Sequence, residues 1–427
     1  MKQSLLTGYN TTKFQTHWFA LLSLAVLGIF FLTNWPIYHF LILDGPVTLP
    51  YYALACVMAV TLIFFNPAAL NFLLREPLFY WFLVYAISGL LWLIMIDDGY
   101  LDSQNSLWRQ RFLFMLLFSA CTILVASVDH QKLAKVWLGC ALFGAICYWA
   151  EFFSPFLFIP LGHELSGIGR SAGWFLDANT AAGVLVGICI ATAPFVSQQW
   201  RVFLVAIISI GIFPTLSRSG FLFSGFVIAM WLWSGQFSKR TLVVLLIALP
   251  FSVIIGTTLF NKGIESPDVN YKNVMERIDS LQGGKTTDHS ANERRYVAEL
   301  GWTMFSESPF SGYGTGKVMP NSKVWHYSQS THNTYLLIML EQGIFGGILY
   351  LLFLGIIYVR GIRLYWHSLS RYESDLGISL ILIASYFAFL GFFSHTLLME
   401  GAGILLLASL LAEERKIARA KIQRSFS

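Results

Sequence analysis

The amino-acid sequence predicts an all-α polytopic membrane protein with about twelve transmembrane helices and one large, partly helical outer loop. Three observations lead there. Hydrophobic residues make up 56% of the 427 positions and charged residues only 12%, where a soluble domain carries about 25% charge. Mean hydropathy is +0.63, which excludes a disordered chain and argues against a soluble multidomain enzyme. The chain also holds 37 phenylalanines, 14 tryptophans and 18 tyrosines, the composition of a protein with aromatic belts at two lipid interfaces.

A helix needs about 20 apolar residues to cross the hydrocarbon core. Such runs lie at 18–34, 50–66, 78–96, 109–127, 134–152, 179–197, 201–216, 219–235, 241–259, 333–358, 376–395 and 398–412. They divide the chain into nine spans in 1–260, a loop at 261–332, three spans in 333–412 and a basic tail at 413–427. The first run follows Lys2 and Lys13 and has no small-residue cleavage site after it, so it reads as an uncleaved anchor. The five cysteines lie in apolar runs without metal spacing and read as packing residues.

Orientation follows from lysine and arginine. With an inner N-terminus, the inner segments hold sixteen of them, from Lys2 to Arg424, and the short outer loops hold four, Arg109, Arg111, Arg170 and Arg218. Both termini are therefore expected in the cytoplasm, with the tail EERKIARAKIQR anchored at lipid headgroups. The net charge of +5 reflects this loop asymmetry and gives no reason to expect nucleic acid as a partner.

Residues 261–332 break the apolar pattern, with 16 of the chain's 51 charged residues in 72 positions. That is too long and too charged for a simple connection. Helices are expected near 269–281 and from Ser290, where Glu293 three residues on makes a capping box. The second helix should stop before Pro309, and SPFSGYGTG (308–316) reads as a glycine-rich turn.

An ionisable residue at or inside the apolar layer is a functional candidate by default. Arg218 sits in GIFPTLSRSGFLFSGF with apolar sequence on both sides. It is either an interfacial anchor or a fixed cation facing a cavity, and its planar fork suits phosphate. Arg294 and Arg295 fall in the first turn of the capped helix, where cations oppose the macrodipole. That placement fits a bound anion, or a solvated face. Arg170 lies in SGIGRSAGWFLDANTAAG, with Asp177 as its partner or as a helix cap. His332, next to Asn333, stands at the loop-to-helix junction, where a neutral imidazole can take a proton from a hydroxyl group. Glu341 is nine residues on, about 900° of helical rotation, so it is expected to support a neighbouring helix and not to pair with His332. Asp97, Asp98 and Asp102 read as a solvated outer loop. No HExxH, P-loop, CxxC or DxD occurs, so no metal or cofactor is expected.

In combination, RSAGWFLDANTAAG (170–183), TLSRSG (215–220), the Arg–helix–SPF stretch (294–310), GYGTG (312–316) and HNTYLLIMLEQGIFG (332–346) resemble the O-antigen ligase and polymerase superfamily. The resemblance covers the centre and C-terminal half; the first 150 residues match in hydropathy alone. It implies an undecaprenyl-diphosphate-linked glycan donor, a sugar hydroxyl as acceptor (on lipid A–core for a ligase) and an active site at the periplasmic face of a bacterial inner membrane. His332 would be the base. Arg218 and Arg294 would hold the diphosphate, with Arg295 and Arg170 beside them and Asp177, Asn333 and Glu341 in support. One arginine usually opens the loop helix in the family pattern; here there are two, and the distance to SPF favours Arg294. The single outer loop favours ligase over repeat-unit polymerase. A protein O-oligosaccharyltransferase has the same chemistry, and a lipid-linked glycan transporter is the non-enzymatic alternative.

Overall fold

The computed structural model describes residues 2–45, 48–95, 101–154, 157–159, 171–240, 243–244, 254, 258, 289–318, 322, 324–327, 330–394 and 397–425. Among the described residues every regular element is helical, and eight helices are long and apolar enough to cross a membrane. The protein is an all-α, multi-pass membrane protein. The expected run at 241–259 lies almost wholly outside the described residues, and the expected helix at 269–281 lies entirely outside them.

The first half runs α1 (Lys2–Leu32), α2 (Trp35–Ile42), α3 (Leu49–Phe65), α4 (Ala68–Leu74), α5 (Pro77–Met95), α6 (Leu101–Val125) and α7 (His130–Phe153). The expected fourth span began at 109, but α6 starts eight residues earlier. This moves Arg111 out of a loop and into the bundle, where it is 2% exposed.

Next come α8 (Ala178–Thr192), α9 (Arg201–Ile212) and α10 (Arg218–Trp233). α8 is the central helix; its small residues let α7, α9, α10, α13 and α14 pack around it. Then α11 (His289–Glu307) begins one residue before the expected Ser290 and ends before Pro309. α12 (Thr334–Trp366) and α13 (Arg371–Leu390) form a hairpin, and α14 (Gly401–Ser425) runs unbroken from the bundle core into the basic tail.

α12 is not the continuous helix its apolar run suggests. At Gly343 the backbone takes φ 64° and ψ −158°. The glycine-rich turn fills the break: Ile344 N donates to Pro309 O (2.8 Å), Tyr313 N to Leu340 O (2.7 Å) and Gly314 N to Glu341 O (3.0 Å). Borrowed backbone partners satisfy peptide groups that lipid cannot. A Cβ on Gly343 would lie 2.2 Å from Phe310 O, and one on Gly312 would lie 2.6 Å from Gly343 N. Both positions therefore require glycine. Gly343→Ala should add strain of about 1–3 kcal/mol and lower the thermal midpoint of the detergent-solubilised protein; an unchanged midpoint would mean the break relaxes freely.

Charge separates the two ends of the bundle. At one end, Glu76 pairs with Arg360 and Arg415, Arg360 with Glu414, His130 with Glu413, and Arg201 with Asp375. Buried charges survive when paired, and these pairs tie α7, α9, α12, α13 and α14 together. The opposite end collects the starts of α8, α10, α12 and α14, and the candidate residues lie there.

Candidate active site

Three of these helices are started by the side chain of the residue before them. Asp177 Oδ1 accepts from Thr180 N at 2.7 Å, Ser217 Oγ from Gly220 N at 3.1 Å and Asn333 Oδ1 from Leu336 N at 3.0 Å. Of the two roles open to Asp177 in the sequence, the observed one is helix cap. Further bonds knit the starts together. Ser217 Oγ donates to Asn179 Oδ1 (2.8 Å), Thr180 Oγ1 to Glu400 Oε1 (3.3 Å), and Thr334 N to Gly391 O (2.7 Å).

A cavity of about 240 Å³ opens among them. Asp177, Asn179, Thr180, Ser219, Arg294, His332, Ser394 and Glu400 supply its polar wall; Leu390, Phe393 and Leu397 supply the apolar one. Converging N-termini present partial positive charge, and Arg294 adds a full one. An anion is the ligand class such a site favours. The carboxylates of Asp177 and Glu400 are hydrogen-bond acceptors suited to hydroxyl groups.

His332 is half-buried on the cavity wall with φ 48°, a left-handed backbone uncommon outside glycine. Burial, and then the Arg294 guanidinium, lower its pKa below the ordinary 6.5, against an opposite pull from Asp177 and Glu293. The imidazole is thereby kept neutral at neutral pH, the form that accepts a proton.

The candidate arginines part ways. Arg294 lines the cavity. Arg295, the next residue and so about 100° around the helix, is 81% exposed and donates from Nε to Glu299 at 2.8 Å. It does not join the cavity. Arg218 is the exposed first residue of α10, beside Ser219, which lines the cavity. Arg170 lies outside the described residues, as do Asp97 and Asp98.

Glu341 is away from the cavity, buried in the bundle and paired with Arg111 of α6. Its Oε1 accepts from Gly316 N at 2.9 Å, so it holds the glycine-rich turn against the broken helix. Glu400 is a cavity residue that the sequence reading passed over. Its signal was available, because an acid between two apolar runs meets the criterion that selected Arg218. Among the described residues no group of three histidines, cysteines or carboxylates has the arrangement of a metal site.

Residues 203–351 match the family model described as O-antigen ligase. The match takes in Arg218, Arg294, Arg295, His332, Asn333 and Glu341; Asp177 and Glu400 lie outside it. No curated protein matches the chain.

Proposed function

We propose that this chain, which carries the O-antigen ligase domain over residues 203–351, is an O-antigen ligase. It transfers polysaccharide from undecaprenyl diphosphate to a sugar hydroxyl of lipid A–core. The cavity faces the periplasm, both termini lie in the cytoplasm, and the reaction needs no metal. The observation that carries this reading is the pairing of Arg294 and His332 on one small cavity ringed by helix N-termini.

The chemistry follows from those groups. A sugar hydroxyl is a weak nucleophile at neutral pH. His332 removes its proton as the oxygen attacks C1 of the donor sugar. The bond from C1 to the diphosphate oxygen breaks, and undecaprenyl diphosphate leaves with the electron pair. Arg294, with Arg218 at the rim, stabilises that developing charge in a partly dehydrated site. Asp177 and Glu400 accept hydrogen bonds from sugar hydroxyls and orient the ring. Single in-line attack inverts the anomeric centre, and the proton on His332 returns to water.

The test is transfer in detergent from a defined undecaprenyl-diphosphate glycan, offered in parallel lipid A–core, repeat-unit and protein acceptors. Transfer to lipid A–core supports the ligase. Transfer to repeat units alone would mean polymerase, to protein alone oligosaccharyltransferase, and none at all would favour a transporter. Within the same assay Arg294→Ala should cost about 10²–10³-fold, while Arg295→Ala stays close to the unsubstituted protein. Equal losses at the two positions would remove the assignment of Arg294 to the diphosphate.

A further inference from the structure

The hydroxyl of Ser217 has one proton and three polar neighbours. Its Oγ accepts from Gly220 N at 3.1 Å, lies 3.2 Å from Ser219 Oγ and donates to Asn179 Oδ1 at 2.8 Å. Gly220 N brings its own proton, so the one on Ser217 serves Asn179, and Ser219 is the donor in the third contact. Ser217 is fully buried, so protein groups alone hold its hydroxyl in this orientation.

This network fixes the chemical sense of Asn179. Its amide oxygen faces Ser217, so what the side chain offers a ligand is its other end, Nδ2, which donates and cannot accept. Asn179 and Ser219 both line the cavity that holds Arg294 and His332. Asn179 is the second residue of α8 and Ser219 the second of α10. Each therefore stands in a first turn whose backbone N–H groups carry partial positive charge. The Ser217 contact brings two helix starts and one oriented amide to the same wall. Asp177 and Glu400, by contrast, meet the cavity as acceptors.

We propose that Asn179 is a phosphate-binding residue, its Nδ2 donating to a non-bridging oxygen of the donor's diphosphate where α8 and α10 begin. The inference rests on the glycan-transfer reading for the identity of the diphosphate. A guanidinium attracts that group from any side, whereas an amide held by Ser217 donates along one direction. Asn179 thus adds orientation to charge without adding a further cation that would hold back the departing diphosphate. Ser217 acts through Asn179 and is a positioning residue.

Asn179→Asp separates the two jobs of this side chain. Aspartate keeps an oxygen for the Ser217 proton, and a negative charge in the first turn of α8 favours the helix. The thermal midpoint of the full-length protein in detergent should therefore be unchanged or raised. The end that donated now repels phosphate. Binding of inorganic pyrophosphate should weaken by about 10–100-fold. In the transfer assay KM for the undecaprenyl-diphosphate donor should rise by a similar factor, with KM for the acceptor unchanged. Asn179→Ala removes the donors without adding charge and should weaken pyrophosphate binding by about tenfold. An alanine variant that binds as tightly as the unsubstituted protein would reduce the aspartate effect to repulsion and overturn the proposal. So would a loss that merely tracks a falling midpoint, or an unsubstituted protein that does not bind pyrophosphate. The two readings fail separately. Pyrophosphate binding that depends on Asn179, without transfer to any acceptor, would sink the ligase and leave the phosphate site. Transfer by both variants with an unchanged donor KM would sink the assignment of Asn179 and leave the ligase.

Discussion

Replacing His332 with alanine should lower glycan transfer by about 10²–10⁴-fold, the usual worth of a positioned general base. The loss should fall on kcat, since the proposed mechanism has arginines and helix N-termini, and not His332, hold the donor diphosphate. The pH dependence gives a sharper test because its sign is fixed. The active form is the unprotonated imidazole, so the rate falls as pH drops through the pKa of His332 and is flat above it. Burial and Arg294 hold that pKa below 6.5, so the acid limb should lie below pH 6.5. Arg294→Met removes a lowering influence and should move the limb of its residual activity upward. Asp177→Asn removes a raising one and should move it downward. A limb that ignores both substitutions would show that some other group is the base.

The sequence told most about the features that follow from composition alone. Apolar runs of bilayer length predicted the helices because each run must satisfy its backbone within itself once in lipid. Even the 16-residue α10 was visible as a run split from its neighbour at Ser217-Arg218. His332 and Arg294 could be singled out because polar residues at the edge of an apolar layer are rare enough to count. What stayed hidden were pairings between residues far apart in the chain. Arg201 reads as a loop cation, yet it is 2% exposed and pairs with Asp375. Arg111 reads as an outer-loop arginine and turns out to be an intramembrane partner of Glu341. No local pattern encodes a contact across 174 or 230 residues. Glu400 was hidden differently: counting apolar residues absorbed one acid at the seam between two runs. The break at Gly343 was hidden because glycine in an apolar run is compatible with a straight helix, and only the insertion of Pro309–Gly316 beside it shows otherwise.

The Arg111–Glu341 pair carries the second large expected effect, on folding. Arg111 is buried, with its guanidinium 4.3 Å from the centre of the Tyr85 ring. With the Gln342 amide oxygen turned toward it, Arg111 Nη1 donates there at 2.6 Å. Two charges out of water are tolerable together and costly apart: removing one partner of a buried pair costs about 3–5 kcal/mol. Glu341→Gln keeps an acceptor for Gly316 N but leaves the guanidinium without its counter-charge. It should lower the thermal midpoint in detergent and the yield of folded protein. Arg111→Met in the same chain removes the stranded charge, so the double variant should be more stable than Glu341→Gln alone. Transfer activity offers the complementary readout. The glycine-rich turn links α11, which bears Arg294, to α12, which follows His332, and Glu341 fastens that turn through Gly316. In the double variant the acceptor remains, so kcat per folded molecule should stay close to that of the unsubstituted protein. Strictly additive destabilisation by the two substitutions would show that Arg111 and Glu341 do not act as a pair.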